Sequence, residues 1–129
     1  MDKTDEFGKA TDADGVYEAA GTDAGEALEA LPTLDVFGSR VDAINYPQLF
    51  KCIDAWTRRP EARRICLAGI PSIIFSRDDP EYREAHGSSD LVLPDGMPLV
   101  WHLRRAGHRS QERMDGPNLV YRLCAYAER

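Results

Sequence analysis

No stretch of this 129-residue chain stays apolar for the roughly eighteen residues that a membrane-spanning helix needs. The first residues, MDKTDEFGKATDADG, hold no apolar core of the kind a secretory signal carries, so no signal peptide is expected. Cysteine is scarce and odd in number: Cys52, Cys66 and Cys124, with no C-x-x-C spacing. That argues against a cysteine zinc site and a disulfide framework, and predicts reduced thiols buried within apolar patterns in a cytoplasmic protein. The three histidines, His86, His102 and His108, do not pair with Cys, Asp or Glu at metal-ligand spacing. They read as surface histidines, and neither a metal nor another cofactor is expected. A basic excess is lacking too, so no nucleic-acid partner is expected.

The charge is unevenly placed. Residues 1–33 hold nine acids and two lysines, a net of -7; the remainder holds thirteen acids and fourteen bases, a net of +1. The acidity therefore belongs to the first quarter of the chain. That segment is rich in Asp, Glu, Ala, Gly and Thr and has few large apolar residues. Burying so little cannot offset the entropy of ordering a backbone, which predicts a disordered acidic leader over 1–33 and one folded domain over 34–129.

From Leu34 onward short apolar runs alternate with helical periodicity. Leu34–Phe37 and Val41–Ile44 are strand candidates separated by Gly38-Ser39. Asn45 caps a helix with Pro47 in its first turn and Leu49, Phe50, Ile53 and Trp56 on one face. Ile65–Ala68 is a further strand. Pro71–Ser76 is a short helix with Ile73 and Ile74 inward. Asp79 caps another helix that begins at Pro80 and ends near Gly87. Leu91–Leu93 is the next strand, Met97–Ala106 a helix closed by Gly107, and Gly116–Glu128 the last helix, with Leu119, Leu123 and Tyr126 inward. Strands alternating with helices predict an α/β fold: a small, mostly parallel sheet of three or four strands with flanking helices, the first two strands forming a hairpin beside it.

The stretch Asp90–Leu119, DLVLPDGMPLVWHLRRAGHRSQERMDGPNL, holds the candidate chemistry. A strand runs into Pro94-Asp95-Gly96, and an arginine, Arg113, precedes a second helix start at Gly116-Pro117. In α/β enzymes such strand ends and helix starts share the edge where sites are built. Asp95 has a plain reading as a turn residue, with Gly96 accepting a positive φ. It also has a chemical one, a carboxylate presented by that turn as a general base. Arg113 reads as surface decoration or as a fork for phosphate oxygens, with Gly116 letting backbone N–H groups approach the same anion.

The order P-D-G, then a helix with Trp101 and Arg104, then E-R-x-x-G at Glu112–Gly116 resembles the WecG/TagA/CpsF family of bacterial glycosyltransferases. The resemblance implies the N-terminal portion of a Rossmann-like enzyme. It implies inverting transfer of an N-acetylmannosamine-type sugar from a uridine-diphosphate donor to a polyprenyl-diphosphate-linked acceptor, in cell-surface polysaccharide synthesis. Asp95 would be the catalytic base, and Arg113, Gly116, Gly96 and Asn118 would bind substrate. The implied location is cytoplasmic, with at most peripheral contact at the inner membrane face. Glycosyltransferases that use a divalent ion commonly present D-x-D; here the string occurs only as Asp12-Ala13-Asp14 in the leader and is discounted.

Four positions depart from the family pattern. Ala68 stands where a pocket-lining Thr is usual, Pro71 where His or Asn is usual, Asn118 where Asp is frequent, and Asp115 where an aromatic or small residue is frequent. In the family a second α/β half follows the E-R-x-x-G helix, and Arg129 is expected to end the chain before it. The rival reading is therefore a catalytically inactive remnant or interaction module that self-associates or pairs with a second half.

Overall fold

In the computed structural model, residues 31–129 are described. The leader expected over 1–33 lies outside them up to residue 30. They divide into two compact units, one holding Asn45–Glu61 and the other Pro32–Ile44 with Ala62–Arg129.

The first unit is built on helix α1, Tyr46–Thr57. Asn45 stands at its N-cap with extended backbone, Pro47 lies in the first turn, and the Asn45 N–H donates to Gln48 Oε1 at 2.8 Å. Tyr46, Leu49, Phe50, Cys52 and Trp56 are buried, while Ile53 is half-buried. Tyr46 and Phe50, four residues apart and so on one face, bring their rings to 5.8 Å. Arg58 pairs with Asp54 at 2.7 Å one turn back.

The second unit starts with strands β1 (Thr33–Val36) and β2 (Ser39–Asp42), an antiparallel hairpin in which Val36 faces Ser39. The turn is therefore Phe37-Gly38, one residue earlier than Gly38-Ser39. Both turn residues have positive φ, 52° and 85°, the signature of a primed turn that matches strand twist. Strand β3 (Ile65–Ala68) follows, then helices α2 (Ile70–Asp78) and α3 (Pro80–Gly87), then strand β4 (Leu91–Pro94). Helices α4 (Met97–Arg105) and α5 (Gly116–Ala127) complete the described chain.

β3 and β4 pair in parallel, Ile65 against Leu91 through Ala68 against Pro94. The α/β class and its parallel pairing hold, but among the described residues the parallel sheet has two strands, not three or four. β2 lies beside β4 without a backbone ladder, because the Asp42 carboxylate takes its place and accepts the Val92 N–H at 2.8 Å. β4 is buried along its whole length, as expected of a strand covered on both faces. Val36, Val41, Ala43, Ala68, Ile73, Val92, Leu99 and Leu103 form the core cluster.

Several expectations are corrected. Ile73 is buried but Ile74 is 48% exposed, so the expectation that both face inward fails. His86 is buried, not on the surface: its Nε2 sits 3.1 Å from the Arg40 carbonyl. Cys52 is buried, Cys66 half-buried and Cys124 exposed, so burial of all three thiols fails. Burial raises the thiol pKa of Cys52 and Cys66 above the ordinary value. Helix α5 buries no residue completely; Leu119, Leu123 and Tyr126 are half-buried.

Candidate functional site

The C-terminal ends of β3 and β4 lie side by side because the strands are parallel and in register. Each is followed at once by a helix start. Gly69 is the N-cap of α2 and Gly96 the N-cap of α4, and a Cβ added to Gly96 would sit 3.7 Å from Gly69 Cα. The start of α5 is drawn to the same edge. The Met114 N–H donates to the Pro94 carbonyl at 2.9 Å, with the Met114 side chain fully buried. A Cβ on Gly116 would meet Leu67 Cδ1 at 3.3 Å, so a side chain there would require the Leu67 side chain to give by a few tenths of an ångström.

Asp95 is the first residue past β4. Its N–H donates to the Ala68 carbonyl at 2.9 Å and fixes its backbone to β3. Its side chain is 37% exposed. Gly96 does not take the positive φ that the turn reading required; it is extended, with φ -89°, because it caps α4. Arg113 reaches the same place. Its Nε donates to the Asp95 carbonyl and its Nη2 stands 3.8 Å from Asp95 Oδ1. The sequence elements P-D-G and E-R-x-x-G, eighteen residues apart at Asp95 and Arg113, thus meet.

The start of α5 is less open to an anion than its sequence implies. Asp115 is the N-cap: Oδ2 accepts the Asn118 N–H at 3.3 Å and Oδ1 accepts the Asn118 side-chain amide at 2.8 Å. Those bonds, the side-chain one foremost, hold the Asp115 carboxyl below its ordinary pKa. Pro117 has no N–H to give. Of the first-turn groups at 116–118, the Gly116 N–H is the one that neither proline nor the cap removes. A phosphate there would face the Asp115 carboxylate as well. Asn118 is committed to Asp115, and Arg113 is the cationic group that the geometry brings to Asp95.

The departures at Ala68 and Pro71 have distinct consequences. Ala68 is fully buried and pairs with Pro94. Pro71 occupies the first turn of α2, where the Ser72 hydroxyl accepts the Gly69 N–H at 3.0 Å and donates to the Gly69 carbonyl at 2.8 Å. His102 is exposed on α4, and among the described residues no group of His, Cys, Asp and Glu is placed to hold a metal ion.

Gln111 was not singled out from the sequence, yet it holds the loop before Arg113. It is 2% exposed; its Oε1 accepts the Ile44 N–H at 3.0 Å and its Nε2 donates to the Ile44 carbonyl at 2.9 Å. The same Nε2 donates to the Glu112 carbonyl, and Arg104 Nε donates to the Gln111 carbonyl at 3.0 Å. A glutamine between polar residues gives no sequence signal for this. A side chain that pairs like a strand residue is visible only once the chain ends it joins are adjacent.

The family model described as glycosyl transferase WecG/TagA/CpsF family matches residues 34–129. No curated protein and no solved structure matches the chain.

Proposed function

The chain belongs to the WecG/TagA/CpsF family of glycosyl transferases, and from that premise we propose that Asp95 and Arg113 form the reacting centre of a sugar transfer. The family places the chain in polysaccharide synthesis. The observation that carries the residue assignment is the contact between Arg113 and Asp95 at the shared end of β3 and β4.

The reaction needs two things from the protein. An acceptor hydroxyl must lose its proton as its oxygen bonds the anomeric carbon, and the departing diphosphate must be stabilised as the carbon–oxygen bond breaks. Asp95, with a partly open carboxylate at a rigid strand end, takes the proton. Arg113 offers Nη groups to the diphosphate oxygens while its Nε stays on the Asp95 carbonyl, which keeps fork and base in register. Attack on the face opposite the leaving group gives inversion. The donor is a uridine-diphosphate sugar of the N-acetylmannosamine type and the acceptor a polyprenyl-diphosphate-linked sugar. Among the described residues no helix is long and apolar enough to cross a membrane. We place contact with such an acceptor peripherally, at the cytoplasmic face.

The test is transfer from a radiolabelled uridine-diphosphate sugar to a lipid-linked acceptor. Asp95→Asn should lower kcat by about 10²- to 10⁴-fold with KM for the donor little changed. Arg113→Lys should raise KM for the donor. Turnover by Asp95→Asn equal to the parent would remove Asp95 from the chemistry.

A second reading, a binding module without catalysis, is favoured by α5, on which Val120 is 62% and Tyr121 75% exposed. Sedimentation at increasing concentration separates it: association lost on Tyr121→Ser would support the module.

A further inference from the structure

Two peptide planes meet at the Cα of Arg113, and each is pinned. The Glu112 carbonyl, in the plane before Arg113, accepts the Gln111 side-chain amide at 2.9 Å. The Met114 N–H, in the plane after it, donates to the Pro94 carbonyl at 2.9 Å. A trans peptide is rigid and planar, so two fixed planes leave φ and ψ of Arg113 little freedom. A third hold acts on the side chain, whose Nε donates to the Asp95 carbonyl. The second and third holds come from the end of β4, at Pro94 and Asp95; the first comes from Gln111.

Gln111 can serve as a hold because it is itself fixed. Its side chain is buried, and Oε1 and Nε2 engage both backbone groups of Ile44, just past β2. Its own N–H donates to the His108 carbonyl at 3.0 Å, and its carbonyl accepts Arg104 Nε. A glutamine amide has two hydrogens, and both are used here, one on Ile44 and one on Glu112. Pairing with Ile44 requires only the first. The second fixes the plane that leads into Arg113.

We propose that Gln111 is the positioning residue of Arg113: it sets the backbone from which the guanidinium fork is presented beside Asp95. The consequence for sugar transfer rests on the assignment of Arg113 to the donor diphosphate. The Arg113 side chain is 52% exposed, and a free arginine there would have to be ordered by the donor at an entropic cost. Holding its backbone and Nε in advance removes part of that cost before the donor arrives. Gln111 touches no substrate atom and acts through Arg113.

The hold is read by nuclear magnetic resonance, from exchange of the Arg113 Nε–H with water in the full chain. The signal is assigned by its loss in Arg113→Lys. In the parent it should exchange more slowly than that of Arg105, an exposed arginine of α4. Gln111→Met keeps most of the volume without the amide and should speed the Arg113 exchange about tenfold, the scale of one hydrogen bond. Arg104→Ala, at an exposed position, removes the bond to the Gln111 carbonyl. It should act in the same direction, and it stands as the test if Gln111→Met does not fold. In the transfer assay, Gln111→Met should raise KM for the donor about tenfold with kcat changed less, and should add nothing in an Arg113→Lys background. Exchange at Arg113 as fast as at Arg105 in the parent, or unchanged in whichever variant folds, would overturn the proposal. An equal rise in KM in the Arg113→Lys background would do so too. Faster Nε–H exchange in Gln111→Met, beside a donor KM that Arg113→Lys leaves unchanged, would support the hold and remove instead the donor assignment of Arg113.

Discussion

Asp42 on β2 accepts the backbone N–H of Val92 on β4 at 2.8 Å, fifty residues away. One carboxylate therefore does what a strand-to-strand ladder would do between these segments. Asp42 is 4% exposed and also accepts from Thr33 Oγ1 and pairs with Arg40. Its burial is tolerable because its oxygens are engaged by donors. Asp42→Ala would leave a buried N–H without an acceptor and Arg40 without its counter-ion. A loss on the order of 3 kcal/mol is expected in urea unfolding. Asp42→Asn keeps an acceptor for Val92 and should lose about 1 kcal/mol. Equal losses from the two variants would show that the charge, not the accepted bond, is what matters.

The helix starts were legible because capping chemistry is local. Asp79-Pro80 and Gly116-Pro117 announce helices, and the Asp79 side chain does accept the Glu81 and Tyr82 N–H groups. β3 was legible from its apolar run. What was not legible depends on distant partners. Asp42, Gln111 and His86 are polar residues in unremarkable surroundings, and their burial follows from chain segments that sequence spacing does not reveal. The Asp95–Arg113 contact lay between: each motif was visible, their meeting was an expectation of family resemblance. Gly96 misled because a glycine after aspartate suggests a turn, whereas here it caps a helix.

Asp90 ties the entry of β3 to the entry of β4. Its Oδ2 accepts the Arg64 N–H at 2.8 Å and its Oδ1 the Arg63 guanidinium at 3.1 Å. Desolvation pushes its carboxyl up, but the Arg64 N–H and the Arg63 bond and charge together pull it below the ordinary value. A depressed carboxylate stabilises the fold above its unfolded value, about 3.9, and that stabilisation is lost as pH falls through the lower folded value. Thermal midpoints should therefore be flat well above pH 4 and fall below it. Asp90→Asn should shallow the fall without removing it, since Asp115 is depressed too. An unchanged acid profile in that variant would exclude Asp90 as a source.

Ala68 invites the replacement that would restore the family's threonine. It is fully buried at the end of β3, where it pairs with Pro94. Ala68→Thr should cost about 1–3 kcal/mol by overpacking. A thermal midpoint at or above that of the parent would mean that the strand end yields readily.

Phe37 holds a left-handed φ of 52° while 78% exposed. A bulky residue there bears the steric cost of Cβ against the following carbonyl and gains little packing in return. Asparagine tolerates this conformation. Phe37→Asn is expected to stabilise the chain by about 1 kcal/mol, read as a raised urea midpoint at constant m. A lowered midpoint would indicate that the Phe37 ring makes contacts in solution worth more than the backbone strain.

β4 and α5 should differ sharply in local stability. β4 is buried at every position, and Leu93 is fully inaccessible. α5 buries no residue completely, and Leu123 is half-buried. Leu93→Ala removes side-chain volume from a site that cannot refill it and should cost about 2–5 kcal/mol. Leu123→Ala exposes a side chain already in partial contact with water and should cost less than about 1.5 kcal/mol. Amide exchange should follow the same order. The β4 amides should open only with global unfolding, whereas those in the middle of α5 should exchange through a smaller, local opening. Equal protection in the middle of α5 and in β4 would show that the helix is covered in solution by something other than the packing described, and would join it to the core as one cooperative unit.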